Sequence, residues 1–153
     1  MTPVSAPSPS TVQPVGYWTW VAHQAVVGHL RGALAGIDLT QPQWWVLKEI
    51  AAEPAPCTRA ELQNRLAPHL DAGPEVIGRA VDTLTARQWL TVDEAGGLRA
   101  TDSGRAATRR AMALLKRVRA EIHDGIPEED YAITLEVLRR MIRNLGGPAD
   151  LYS

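Results

Sequence analysis

The chain has 153 residues, with 16 Lys and Arg against 17 Asp and Glu and a formal net charge of -1. That is enough for one globular core, or for a small domain with dimerisation helices, and it excludes a protein that coats nucleic acid through bulk positive charge. A single cysteine, Cys57, excludes an intramolecular disulfide framework, and no apolar run approaches the length that spans a bilayer, so a cytoplasmic protein without membrane association is expected.

Residues 1–15 hold prolines at 3, 7, 9 and 14 and serines at 5, 8 and 10, without a basic start or an apolar stretch. This composition predicts a disordered arm rather than a signal peptide. A first helix over 16–36 follows from Trp18, Val21, Ala22, Ala25, Val26, Leu30, Ala33, Leu34 and Ile37, which recur at three-and-four spacing and need a cover. Gly28, Gly32 and Gly36 lie four apart on one face, each costing roughly 1 kcal/mol against Ala. They mark either a loose helix or, the better reading, a surface where another backbone approaches closely.

Two short helices follow, each with its own start signal. Thr40 and Gln43 have capping-box spacing, with Leu39 able to staple onto Trp44; Thr58 and Glu61 repeat the box, with Cys57 against Leu62. The first carries Trp44, Leu47, Lys48 and Ala51 along a stripe and stops at Glu53-Pro54-Ala55-Pro56, and the second runs to about Leu66. The connection over 67–73 is longer than the three or four residues of a standard helix-turn-helix.

The stretch 74–101 organises the chain. Pro74 suits a first helical turn, and Val76, Ile77, Ala80, Val81 and Leu84 form the buried face of a helix over 74–87. A strand start Trp89-Leu90-Thr91-Val92, a turn over 93–97 and a returning strand Leu98-Arg99-Ala100 come next. A helix handing over to a short hairpin is the second half of a winged helix-turn-helix, in which the helix fits a DNA major groove and the hairpin reaches the neighbouring backbone. Thr101 or Asp102 then caps a long helix to about His123, with Ala111, Leu115, Val118 and Ile122 on one side. A last helix begins at Pro127, carries Glu128, Glu129 and Asp130 where the dipole favours acids, and places Tyr131, Leu135, Leu138, Ile142 and Leu145 on a buried stripe before Gly146-Gly147-Pro148.

The fold class is therefore mainly α with a small β-hairpin wing: a winged helix-turn-helix core plus N- and C-terminal dimerisation helices. The expected division is an arm over 1–15, a dimerisation helix over 16–38, the DNA-binding core over 39–101, C-terminal dimerisation helices over 102–146 and a tail over 147–153. One chain cannot cover its own stripes in this arrangement, so a homodimer is expected.

The order of Leu39-Thr40-Gln41-Pro42-Gln43-Trp44-Trp45-Val46-Leu47, Thr58-Arg59-Ala60-Glu61-Leu62, Arg79-Ala80-Val81-Asp82-Thr83-Leu84 and Leu98-Arg99-Ala100-Thr101-Asp102-Ser103-Gly104-Arg105 resembles the MarR family of bacterial transcription regulators over residues 16–146. The resemblance implies a dimer that binds double-stranded DNA at a pseudo-palindromic operator and often releases it when a small aromatic or phenolic ligand enters between the dimer layer and the winged helix. It assigns the DNA contact to Thr58 and Arg59 at the start of one helix, to Glu75, Val76, Gly78, Arg79 and Asp82 on the recognition helix, and to Arg99 on the wing. Three departures stand out: Gly78 replaces the family's small hydroxyl residue, the wing is short with Arg99 as its only base, and the preceding turn is longer. Between Thr58 and Thr101 the arginines (59, 65, 79, 87, 99) are outnumbered by acids (61, 71, 75, 82, 93, 94). Arg105, Arg109 and Arg110 add backbone contacts or a solvated face.

Five Trp and no Phe concentrate aromatic surface on the two helices that would line the family's ligand cleft. Trp44, through its staple, and Trp18, on the apolar stripe, read as core, which leaves Trp20 and Trp45 to stack on a planar ligand and His23 to offer a polar contact. His23 and His29 sit six apart, off a common face, and no His, Cys, Asp or Glu spacing suits zinc. Cys57 is a staple residue or, if a helix N-terminus stabilised its thiolate, an oxidant sensor. A Gly-rich phosphate loop, a nucleophile elbow and an interpretable acid pair are all missing from the sequence, so neither an enzyme nor a cofactor is expected. The function read from the sequence is a dimeric DNA-binding transcriptional regulator, with repression as the expected sense and affinity tuned by a small aromatic ligand. The alternative, which the acid-balanced face and short wing favour, is a winged-helix dimer that serves as a protein-interaction or small-molecule-binding module without operator reading.

Overall fold

The computed structural model describes residues 13–53, 55–69 and 73–150. Residues 1–12 of the expected arm, 151–153 of the tail, Pro54 and residues 70–72 of the long connection lie outside them. Six helices and three short strands follow in the order α1 (Val15–Ala35), α2 (Gln41–Ala52), β1 (Cys57–Thr58), α3 (Arg59–Leu66), α4 (Glu75–Ala86), β2 (Leu90–Val92), β3 (Gly97–Ala100), α5 (Asp102–Ile122) and α6 (Glu128–Asn144), with a short 3-10 turn (Ala67–His69) after α3.

Both capping boxes form. Thr40 Oγ1 accepts from the Gln43 amide at 3.3 Å while Gln43 Oε1 accepts from the Thr40 amide at 3.0 Å. Thr58 and Glu61 repeat the exchange at 3.3 and 2.7 Å. These local bonds set where α2 and α3 begin, and their apolar faces converge on α4 in one cluster around Leu47, Leu62, Ile77 and Leu84. The buried side of α2 is Gln43, Trp44, Val46, Leu47 and Ile50. Of the series expected along one stripe, Trp44 and Leu47 lie on this side, whereas Lys48 and Ala51 are exposed.

The hairpin is joined by a third strand that the sequence did not announce. β1 pairs antiparallel with β3, Cys57 opposite Leu98 and Thr58 opposite Gly97, so the sheet order is β1-β3-β2. Asp93 shapes the tip, its Oδ1 accepting from the amides of Ala95 at 3.0 Å and Gly97 at 2.8 Å, and Gly96 supplies the positive φ of +80°. Of the two cap candidates for α5, Thr101 takes the role by accepting from the Gly104 amide at 3.0 Å. Gly104 is fixed by sterics: a Cβ there would stand 2.0 Å from the Trp89 carbonyl oxygen, the same oxygen that accepts from the Thr101 amide at 3.0 Å.

The outer helices differ from expectation in burial rather than position. Only Leu34 of α1 is buried, and Trp18, read as core, is 51% exposed. No residue of α6 is buried, so the stripe Tyr131, Leu135, Leu138 and Ile142 exists but one chain leaves it open, and Leu145 is 88% exposed. Gly28 and Gly32 likewise face open space, with nothing within 4 Å of a Cβ at either. His29 Nε2 lies 2.5 Å from Glu121 Oε2 and ties α1 to α5.

Candidate nucleic-acid interface and apolar groove

α4 buries Ile77, Gly78, Ala80, Val81 and Leu84. Its opposite side exposes Glu75, Arg79, Asp82, Thr83 and Ala86, at the spacing that lines up one face of a helix. Arg79 has no ion pair or hydrogen bond among the described residues. Val76 is half-buried at the edge of this face. Gly78, expected near the groove-facing side, is buried beneath α3, where a Cβ would meet Gln63 Nε2 at 3.3 Å and Arg59 Nη1 at 3.5 Å. Thr83 was missed in the sequence, although its place four residues after Arg79 was the available signal.

The other arginines divide by task. Arg65 pairs with Glu53 at 2.9 Å and holds α3 to the end of α2. Arg87 donates to the Asp38 carbonyl at 2.6 Å and lies 3.7 Å from the centre of the Trp89 ring, bracing α4 against the α1–α2 elbow. Arg105 pairs with Asp102 and donates to the Ala100 carbonyl at 2.8 Å, which commits it to the joint between wing and α5. Arg59 pairs with Asp82, and Arg99 stands exposed on the wing 3.9 Å from Asp93. Arg109 and Arg110 are exposed and without ion pairs among the described residues.

The acids divide in the same way, and the outward charges balance. Glu61 is engaged in its capping box and Asp93 in the wing turn. Glu75, Asp82 and Glu94 remain outward against Arg59, Arg79 and Arg99. Thr58 is half-buried, and its hydroxyl oxygen already accepts a helix amide.

A second feature lies away from this face. The start of α1 and the middle of α6 line an apolar groove of about 680 Å³, with Trp18, His23 and Val26 on one wall and Tyr131, Leu135 and Leu138 on the other. A smaller cavity of about 290 Å³ sits under the wing between the end of α2, β3 and the start of α5, with Ile50, Leu98, Arg99 and Arg105 on its wall. Of the three ligand candidates from the sequence, His23 lines the groove. Trp20 is 61% exposed and Trp45 is half-buried against the core, and neither lines the groove or the cavity. Trp18 is the aromatic that the groove does use. Cys57 is buried in the core cluster, and burial pushes its thiol up from the usual range against the opposing pull of Arg65, which suits a staple residue rather than a thiolate. No group of His, Cys, Asp and Glu among the described residues is placed to hold a metal ion, and no helix of them is long and apolar enough to cross a membrane.

No protein-family model and no curated relative matches the chain. Solved structures do match. The reduced form of MarR from E. coli is 20% identical, with a TM-score of 0.66 over 86% of this chain and 95% of that one. The MarR family protein Rv2887 of Mycobacterium tuberculosis, in complex with DNA, is 21% identical, with a TM-score of 0.64 over 88% and 99%. BpsR of Bordetella bronchiseptica, whose DNA binding is regulated by 6-hydroxynicotinic acid, is 21% identical, with a TM-score of 0.68 over 89% and 98%. The chain has the MarR fold. That agreement spans both the winged helix and the outer helices, so the uncovered α1 and α6 belong to the MarR architecture as a whole.

Proposed function

We propose that the chain is a dimeric, sequence-specific DNA-binding transcriptional regulator whose operator affinity responds to a small aromatic ligand. The observation that carries this reading is Arg79, unpaired among the described residues on the outward stripe of α4, in a helix that leads directly into a wing exposing Arg99. The complex of Rv2887 with DNA supports the same use of the fold. The winged-helix core, residues 39–101, is the DNA unit, and α1, α5 and α6 form the layer that pairs two copies. Selection from random duplexes, followed by mobility shift, tests the reading. Arg79→Ala should weaken the selected site by about 1–3 kcal/mol if the side chain reads a base edge, and Arg99→Ala should weaken all duplexes evenly and lower the salt slope by about one. Failure to select any duplex would move the chain to the second reading, an interaction module, which the outward Glu75 and Asp82 favour.

Ligand control rests on the regulation of BpsR by 6-hydroxynicotinic acid and on the four Trp of α1 and α2. Trp20, His23 and Trp45 do not meet in one cavity here, so a site that uses them together requires closure by the second protomer. Such a ligand shifts DNA occupancy only if it binds the DNA-incompetent state better than the competent one. Tryptophan fluorescence titrated with salicylate-like acids should show quenching that Trp20→Leu or Trp45→Leu removes; quenching that survives both places the ligand elsewhere.

A further inference from the structure

Gly78 leaves a gap in the side chains of α4, and α3 fills it. Arg59 crosses the bare backbone there and pairs through Nη2 with Asp82 Oδ1, one turn further along α4. Gln63, on the next turn of α3, donates to the Pro74 carbonyl at 3.3 Å and closes the gap from the other side. Resting on the DNA-binding reading above, we propose that Arg59 is a specificity-determining residue that reads a guanine, with Asp82 as its positioning residue.

Three observations support the assignment. Arg59 and Asp82 are 47% and 62% exposed, so their pair adds little to stability and the fold does not require it. Arg59 is the first residue of α3, where the positive end of the helix disfavours a cation, so the helix dipole does not explain its place. The pair also carries the Arg59 fork from α3 across to Asp82 on the outward side of α4, the second helix of a helix-turn-helix and the one that lies in a major groove. A guanidinium has five N–H donors in a fixed fork. With Nη2 held by Asp82, the donors left over suit the O6 and N7 acceptors of guanine, and the second carboxylate oxygen of Asp82 suits the N4 amino group of a neighbouring cytosine. Arg65 and Arg87, in contrast, are bound to the body of the chain and have no such freedom.

The test compares duplex selection by the unmodified chain and by variants whose thermal unfolding is unchanged. Arg59→Ala should erase a guanine preference at one position of each half-site, with a loss of about tenfold or more on the selected duplex and little on a scrambled one. Arg59→Lys keeps the charge but not the fork, so it should lose the same preference while retaining the salt dependence. Asp82→Ala should blur the guanine position, add nothing further at that position in an Arg59→Ala background and remove the neighbouring cytosine preference in either background, and Asp82→Asn should move the neighbouring preference from cytosine to adenine. Uniform weakening by Arg59→Ala with a lower salt slope would make Arg59 a phosphate contact and overturn the assignment, as would losses at 59 and 82 that add at the guanine position. Selection of no duplex by the unmodified chain overturns the DNA reading itself; an unaltered base preference in Arg59→Ala overturns only this inference.

Discussion

Along α2, α3, α4 and the sheet, apolar side chains from Leu39 to Leu98 disappear into one cluster. Along α6, Tyr131, Leu135, Leu138 and Ile142 recur just as regularly, and none is buried. Both stretches show the same helical periodicity, so periodicity says which side chains share a face and nothing about what covers it. The winged-helix core is complete within one chain. The layer of α1 and α6 is left open by one chain, its groove walls apolar and its glycines at 28 and 32 facing open space.

The sharpest way to break this contrast is to damage the finished half. Gly104→Ala would drive a Cβ into the Trp89 carbonyl, a backbone atom at the root of the wing. An expected loss of about 3 kcal/mol or more, read from denaturant unfolding, would show that the wing and α5 are locked together. A change below about 1 kcal/mol would mean that this joint yields. Attacking the open half should act differently. Leu138→Asp puts a charge on the groove wall, and sedimentation should fall from twice the 16.7 kDa chain mass towards the monomer at micromolar concentration, with a melting temperature that depends on concentration only in the unmodified protein. A monomeric unmodified protein would sink the dimer. The smallest expected effect lies at the start of α2: Thr40→Ala removes one side of a capping box and should cost about 1 kcal/mol without changing the sedimenting mass.

Local signals were legible in the sequence and non-local ones were not. Thr40 with Gln43 and Thr58 with Glu61 sit three residues apart, and each pair makes its bonds within that span, so their sequence spacing is their geometry. The turn at Asp93 and the cap at Thr101 are equally local. By contrast, β1 is two residues long and exists only because β3 passes beside it some forty positions later. Gly78 looked like a surface position because its burial comes from Arg59 and Gln63 on another helix. Trp18 looked like core because its stripe is apolar, whereas it lines an open groove opposite α6 that one chain leaves uncovered. For the candidate site, the arginines were identifiable as residue types, but their division between bracing and presentation depends on partners such as Glu53 and Asp38.

The brace at Arg87 has a mechanical consequence. One guanidinium holds the end of α4 to the Asp38 carbonyl and covers the Trp89 ring at the foot of the wing, which ties α4 to the turn between α1 and α2. A rotation of the core relative to the outer helices would pivot near the elbow at Asp38, where φ is +57°. α5, 21 residues and so roughly 30 Å long, runs out from the core, where Ala107 and Ala111 are buried; over such a length each degree of rotation about one end carries the other by about half an ångström. A few degrees imposed between the core and the outer helices would therefore displace the outward arginines by more than the length tolerance of a hydrogen bond.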